Sequence, residues 1–467
     1  MDTETELTTS LRCSETVVVH WDPRDSSPED VLQFLKDSGY KIVDEKQKHI
    51  SSDTYACLFL ILSSESEAIR LCEDTSKSSL KANQSDLRIN RLIEPNGVRL
   101  RDAIDFMRTH HHDPEHDMNL LLGLARLELP ERDLIAKSEY GLIAKEVGRL
   151  VENGKCITFG SFSSSIRRNG YSDIDFCVES VDNTGISEPE SVRPLQEIVG
   201  NPKCLLSSPL TRSEFYTYPA EEVIKALAHC FQENEQLKEK FQIRMAPART
   251  PIIIFKSHTN GIEMSYDLSV NNLISVQKTE VLNLFITRDI SGKTRKVLMF
   301  IVFWAKTNRL INGTYPEERL QVKTGLWSYI INQLVIHFIQ VVADKQLINP
   351  DEEGNNRVME YNFSEIFEDY TSFFLQLFQY YANFDYGNNA IHGKQVIKKN
   401  DLDGFERTPF MLIDQMDQSH NVTSKTTEKA LEQLKELCRN AAFILEKEKF
   451  RVDLLLQTNQ SASELRK

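Results

Sequence analysis

Ile157-Thr158-Phe159-Gly160-Ser161 and, one polar loop later, Ser172-Asp173-Ile174-Asp175-Phe176 decide how this chain is read. The first run is apolar and ends in Gly-Ser. There glycine lets the backbone approach a phosphate, while serine offers a hydroxyl and an amide donor. In the second run Asp173 and Asp175 alternate with Ile174 and Phe176. The period of two in a strand puts both carboxylates on one face and sends the apolar pair to the core. Two carboxylates so placed repel each other unless a cation lies between them. Mg2+, a hard cation held by one or two carboxylates plus substrate phosphates, suits such a site. A third acid in a similar setting is Asp267, in Met264-Ser265-Tyr266-Asp267-Leu268-Ser269-Val270. Three carboxylates can hold two such ions roughly 3.5–4 Å apart, one serving the attacking oxygen and the other the leaving oxygen of an in-line displacement. A lone D-x-D is usually a solvated strand face. The Gly-Ser upstream and the strand aspartate downstream make the combination specific.

Working outward, residues 138–153 read as an amphipathic helix, with Leu142, Ile143, Val147 and Leu150 on one side, delivering the chain into the strand at 156–159. A polar stretch at 181–193 reads as an insertion loop, 220–240 as helix and 251–256 as strand. After Thr279 the chain is almost entirely helical by periodicity: 297–309, 326–342, 363–382 and 427–455. Toward the N-terminus, a β-rich run at 16–21 precedes a Ser-Ser-Pro-Glu helix start, whose apolar face is Val31, Leu32, Phe34 and Leu35. Strands fit 40–43, 55–62 and 87–93, and a second helix fits 65–73. That βαββαβ order is ferredoxin-like. Between the two, His110, His111, His112 and His116 lie in a broken pattern that reads as a solvated linker better than as a metal site. The expected organisation is thus α+β: 14–96 a βαββαβ unit, 97–137 a linker and helical start, 138–279 the catalytic unit, and 280–467 a helical unit.

Composition narrows the chemistry. The formal net charge is −14, with 55 Lys and Arg against 69 Asp and Glu. Nonspecific affinity for nucleic acid comes mainly from cations at phosphates, so any RNA contact must be local. The 8 cysteines are scattered without a C-x-x-C pair, which favours a reduced, intracellular setting over a zinc site or a disulfide scaffold. No apolar run reaches the length of about 18 residues that suggests a membrane helix. The acidic, polar start differs from a signal peptide. No Ser-His-Asp or Cys-His arrangement suggests itself. Phosphoryl transfer needs positioning and charge neutralisation rather than a covalent nucleophile.

At these residues the chain resembles the DNA polymerase β-like nucleotidyltransferase superfamily, and within it the terminal uridylyltransferases and cytoplasmic-type poly(A) polymerases. The likeness runs from about residue 138 to 455. It extends through Ala248-Arg249-Thr250-Pro251-Ile252-Ile253, Asp267-Leu268-Ser269-Val270-Asn271-Asn272, Phe303-Trp304-Ala305-Lys306, Trp327-Ser328-Tyr329 and Tyr380-Tyr381-Ala382-Asn383-Phe384-Asp385-Tyr386. The last looks like the poly(A)-polymerase-associated helical domain. The resemblance implies a polymerase-β-like palm, with Asp173, Asp175 and Asp267 as catalytic metal ligands for two Mg2+ ions, Mn2+ being able to substitute. It also implies that Gly160, Ser161, Thr279, Lys306 and Ser328 bind the nucleotide while Tyr329 stacks on its base, a contact open to any base. Two positions depart from the family pattern: Val302 stands where a Lys or Arg is usual, and Lys278 stands in place of a ribose-contacting Asn.

Base choice rests on Ile413-Asp414-Gln415-Met416-Asp417-Gln418-Ser419-His420-Asn421-Val422, which is similar to the nucleotide-recognition loop of uridylyltransferases. By that likeness Asp414, Asp417 and His420 border the base, and His420 crowds a purine, which favours UTP over ATP. The N-terminal unit resembles an RNA-recognition motif, with Tyr55 at one expected aromatic position, Cys57 and Leu60 at two others, and Val18 in the first strand. Such a unit ahead of this core is similar to the uridylyltransferases of the spliceosomal small nuclear RNA with an oligo(U) end. The implied activity is addition of UMP from UTP to an RNA 3′-hydroxyl with release of pyrophosphate. The chain is expected to act as a monomer without a membrane partner, in the nucleus or cytoplasm. A poly(A) polymerase using ATP and a noncatalytic RNA-binding scaffold on the same fold are the alternatives.

Overall fold

The computed structural model describes residues 15–98 with short gaps at 53–54, 78–79, 83–84, 92 and 95–96. It also describes isolated positions between 115 and 122, 130–181 except 165 and 167–172, and 209–458 except 247–249, 316–319, 351–355 and 449. The linker histidines 110–112 and 116 and the loop 182–193 lie outside the described residues. The chain divides into two compact units, Glu128–Phe285 and Met1–Leu127 with Ile286–Lys467. No helix among the described residues is long and apolar enough to cross a membrane.

The N-terminal region is built from β1 (Thr16–Trp21), α1 (Pro28–Asp37), β2 (Ile42–Ser52), β3 (Tyr55–Leu62), α2 (Glu65–Lys77) and β4 (Arg88–Arg91). The sheet order is β2-β3-β1-β4, and its pairs are antiparallel. Helix α1 starts where the Ser-Ser-Pro-Glu signal places it. The Ser27 hydroxyl accepts from the Asp30 amide, the Asp30 carboxylate accepts from the Ser27 amide, and Pro28 occupies the first turn, where no N–H is needed. Alternation along β1 and β3 sends Val17, Val19, Leu58 and Leu60 into the core with Leu32, Leu35 and Leu71. Leu60 therefore packs inward. Phe59, paired with Val18, lies on the opposite face.

The unit Glu128–Phe285 holds α3 (Pro130–Leu150), β5 (Gly154–Phe159), β6 (Ile174–Ser180), α4 (Ala220–Glu233), β7 (Gln242–Ala246), β8 (Ile252–Thr259), β9 (Ile262–Val270) and α5 (Leu273–Thr287), whose last residues run past its end. Helix α3 begins before residue 138, so the expected helix gains two turns at its start. The sheet order is β7-β8-β9-β6-β5, with β6 and β9 parallel and the other neighbours antiparallel. One face of the sheet is apolar. Phe176, Val178, Ile253, Phe255, Tyr266 and Leu268 pack with Val147, Leu150, Val223, Leu227 and Phe231 of α3 and α4. Each fully buried large side chain of this kind contributes about 1.5–3 kcal/mol. Glu139 of α3, 1 % exposed, is matched by Ser257 Oγ at 2.6 Å, Tyr266 Oη at 2.9 Å and Lys240 Nζ at 3.2 Å, so its buried charge pins α3 against the sheet. A two-residue turn at Asn260 (φ 53°) and Gly261 (φ 79°) joins β8 to β9. Both residues take the left-handed conformation that such a hairpin requires, which fixes the register of the pair.

The C-terminal region contains α6 (Lys293–Thr307), α7 (Ser328–Val342), α8 (Tyr370–Asn383), β10 (Asn389–His392), β11 (Gln395–Lys398), β12 (Leu412–Ile413) and α9 (Glu428–Glu448). The expected helix over 363–382 breaks into a turn at Phe363–Ile366 and α8, which Asp369 caps by accepting from the Ser372 amide at 2.7 Å. Nor is the region wholly helical. Strands β11-β10-β12 form a small sheet there, because their short apolar runs are too brief to distinguish from helix by period alone. Val302 is buried in α6 at 3 % exposure, where a cation would lack solvent.

Candidate active site

Strand pairing brings the acids together. In the parallel β6–β9 pair, Asp175 is the direct partner of Asp267. Asp173 precedes β6 by one residue and is exposed. All three point away from the apolar face, as the alternation with Ile174, Phe176, Tyr266 and Leu268 requires. Their electrostatics mark the crowding. Burial, then the charges of Asp267 and Asp173, pushes Asp175 up to about 8. Burial and Asp173 raise Asp267 to about 6, against the pull of Arg244 and Lys256. Such carboxyls gain when a cation replaces their mutual repulsion. Among the described residues no three His, Cys, Asp or Glu side chains close a cage around an ion by themselves. A site for hard cations shared with substrate phosphates needs no closed protein cage. The donor set therefore fits divalent metal completed by a nucleotide.

The Gly-Ser turn abuts the acids. Phe159, at the end of β5, pairs with Asp175. Gly160 follows with φ 72°, and a Cβ there would run into the Asp175 carboxylate. Only glycine meets both demands. Thr279 of α5 is 9 % exposed, and its hydroxyl has two partners: it accepts from the Gly160 amide at 2.8 Å and donates to the Ser275 carbonyl at 3.0 Å. Its one proton and the Gly160 amide are both committed. The free donors of the turn thus belong to Ser161, and Thr279 and Gly160 shape the cradle.

The remaining candidates belong to the other unit. Lys306 is in the last turn of α6, and Ser328 and Tyr329 open α7. Tyr329 donates its hydroxyl to Asp414 Oδ1 at 3.1 Å; burial first, then the charge of Asp414, holds it protonated. Asp414 is only 1 % exposed. Its Oδ1 also accepts the Met416 amide at 2.9 Å, and its own amide donates to the His420 carbonyl at 2.9 Å. Asp414 therefore braces the loop, whereas Asp417 and His420 are partly exposed on a turn closed by the His420 amide on the Asp417 carbonyl at 2.8 Å. Sequence reasoning missed Ser275, Arg244 and Lys256. Ser275 serves only Thr279, one helical turn on, whereas the relation of Arg244 and Lys256 to Asp267 comes from strand neighbours distant in the chain.

A mixed five-stranded sheet with paired carboxylates beside a Gly-Ser turn defines a nucleotidyltransferase palm. Comparison agrees: the family model of the poly(A) RNA polymerase, mitochondrial-like, central palm domain matches residues 130–287. The U6 snRNA-specific terminal uridylyltransferase of Caenorhabditis elegans is 45% identical over 484 residues, covering 100% of this chain and 73% of that protein. The mitochondrial poly(A) RNA polymerase of Drosophila melanogaster is 23% identical over 377 residues, 73% of this chain and 57% of its own length. A crystal structure of mtPAP in complex with CTP superposes with a TM-score of 0.59 at 16% identity, covering 98% of this chain and 99% of that one, and so shares the fold. The chain belongs to the terminal uridylyltransferase and poly(A) polymerase family and is an RNA nucleotidyltransferase.

Proposed function

We propose that this protein transfers UMP from UTP to the 3′-hydroxyl of a small nuclear RNA of the U6 type, releasing pyrophosphate. The observation that carries the transfer chemistry is the registered pair Asp175–Asp267 beside Gly160-Ser161. The choice of UTP and of U6 is supported by the full-length likeness to a U6 snRNA-specific uridylyltransferase and by His420 on the recognition loop. Asp173, Asp175 and Asp267 would hold two Mg2+ ions, which would supply charge neutralisation at the attacking and leaving oxygens. Ser161 offers the triphosphate its amide and hydroxyl; in the other unit the family resemblance assigns Lys306 and Ser328 to the phosphates and Tyr329, its hydroxyl tied to Asp414, to the base. Asp417 and His420 border the uracil edge. The N-terminal βαββαβ region orients the RNA, and the protein works in the nucleus.

The test is extension of a short labelled RNA with each nucleoside triphosphate separately. Uridine addition should exceed the other three by at least about tenfold, a preference a few hydrogen bonds can supply. Equal or greater extension with ATP would overturn the uridine assignment.

A further inference from the structure

The sheet that carries the acids continues beyond them. Reading across it in register, Phe159, Asp175, Asp267, Ile254 and Arg244 form one row from edge strand β5 to edge strand β7. The next row holds Ser265, Lys256 and Gln242. Alternation puts Arg244 and Lys256 on the carboxylate face, since Ile253 and Phe255 take the apolar one. Both cations are exposed. With strands about 4.8 Å apart, the backbone of Arg244 lies about 10 Å from that of Asp267, within reach of a long side chain and one phosphate. The register that sets Lys256 beside this row is fixed by the Asn260-Gly261 turn. The cationic stretch ends one row further, where His258 faces Glu263.

The direction of the reaction assigns an occupant. In-line displacement requires the attacking hydroxyl and the departing pyrophosphate on opposite sides of the α-phosphate. The triphosphate end belongs to Gly160-Ser161, at the β5 side of the acids. The acceptor must therefore approach from the β8–β7 side. We propose that Arg244 and Lys256 bind backbone phosphates of the last nucleotides of the acceptor RNA, an inference that rests on the transfer reading above. A chain of net charge −14 repels RNA at long range, so its grip depends on a few such cations placed where the strand must lie.

Steady-state extension and equilibrium binding of a short uridine-ended RNA decide it. Each contact between a cation and a single-stranded phosphate contributes about 0.7 to the slope of log affinity against log salt. The double variant Arg244→Ala/Lys256→Ala should therefore flatten that slope by about 1.4 and raise KM for RNA by about tenfold or more, with KM for UTP within about twofold. The swap Arg244→Lys/Lys256→Arg keeps the charge and should restore most of the RNA affinity. An unchanged RNA KM and slope, or a rise confined to KM for UTP, would overturn the inference while wild-type extension keeps the transfer reading intact. A wild-type protein that extends no RNA with UTP and Mg2+ would overturn both.

Discussion

Two sheets of this molecule use one pleat rule to opposite ends. In the N-terminal sheet one face is apolar and the other is buried at its centre: Val17 and Val19 enter the core against α1 and α2, while Val18 and Phe59, on the other face, are also 0 % exposed. In the palm sheet one face is equally apolar, but the other carries Asp175, Asp267, Lys256 and Arg244. A sheet with two buried faces contributes stability and orientation; a sheet with one charged, accessible face can gather ions and phosphates. Burial around Val18 and Phe59 makes the middle of that face part of the packing, whereas the acids and cations gather on the open face of the palm.

The contrast breaks most readily at Asp175. Asp175→Asn should lower extension by about a thousandfold or more, the loss expected when a ligand of the metal pair is neutralised, with the fold retained by circular dichroism. Its effect on stability has the opposite sign. A carboxyl raised above its ordinary value in the folded chain favours folding while protonated, and that contribution fades as pH rises toward about 8 for Asp175 and about 6 for Asp267. In chelator, the wild-type melting temperature should therefore fall between about pH 4 and 8, and fall less in the Asn variant. Mg2+ at pH 8 should raise it in the wild type only. A flat wild-type profile would mean that the acids do not crowd one another.

Next in size is Phe59→Ala. If the N-terminal face is a packed one, the substitution costs about 3–5 kcal/mol in a denaturant titration. Weaker RNA binding at unchanged stability would instead make Phe59 a stacking residue and erase the difference between the two sheets. The smallest effect concerns the edge of the palm. Thr279→Val removes the acceptor for the Gly160 amide and should lower kcat by about ten- to a hundredfold through a misplaced Gly-Ser turn, whereas Thr279→Ser stays near wild type. A change in KM for UTP alone, with kcat intact, would return Thr279 to direct nucleotide contact.

Much of this was legible because it depends on neighbours in the chain. Gly160-Ser161, the alternation of Asp173 and Asp175 with Ile174 and Phe176, the Ser27-Pro28 helix start and the βαββαβ order follow from period and capping. Misplaced features were those that period alone leaves open. The single helix expected over 363–382 is interrupted before Asp369 caps α8, whereas Leu60 leaves the expected aromatic set for the opposite reason, the period of two itself turning it inward. For Asp414, expected at the base, period says nothing of the bonds by which its Oδ1 accepts from Tyr329 and from the Met416 amide.

Sequence by itself determined which residues carry charge on which side of each strand, because a period of two is a property of the backbone. Tertiary structure alone decided which of those residues meet. The parallel pairing of β6 with β9 sets Asp267 beside Asp175 across more than ninety positions, and the β7–β8–β9 register aligns Arg244 with them. Strand order and register arise from the packing of a whole core, so no local pattern in the chain encodes them.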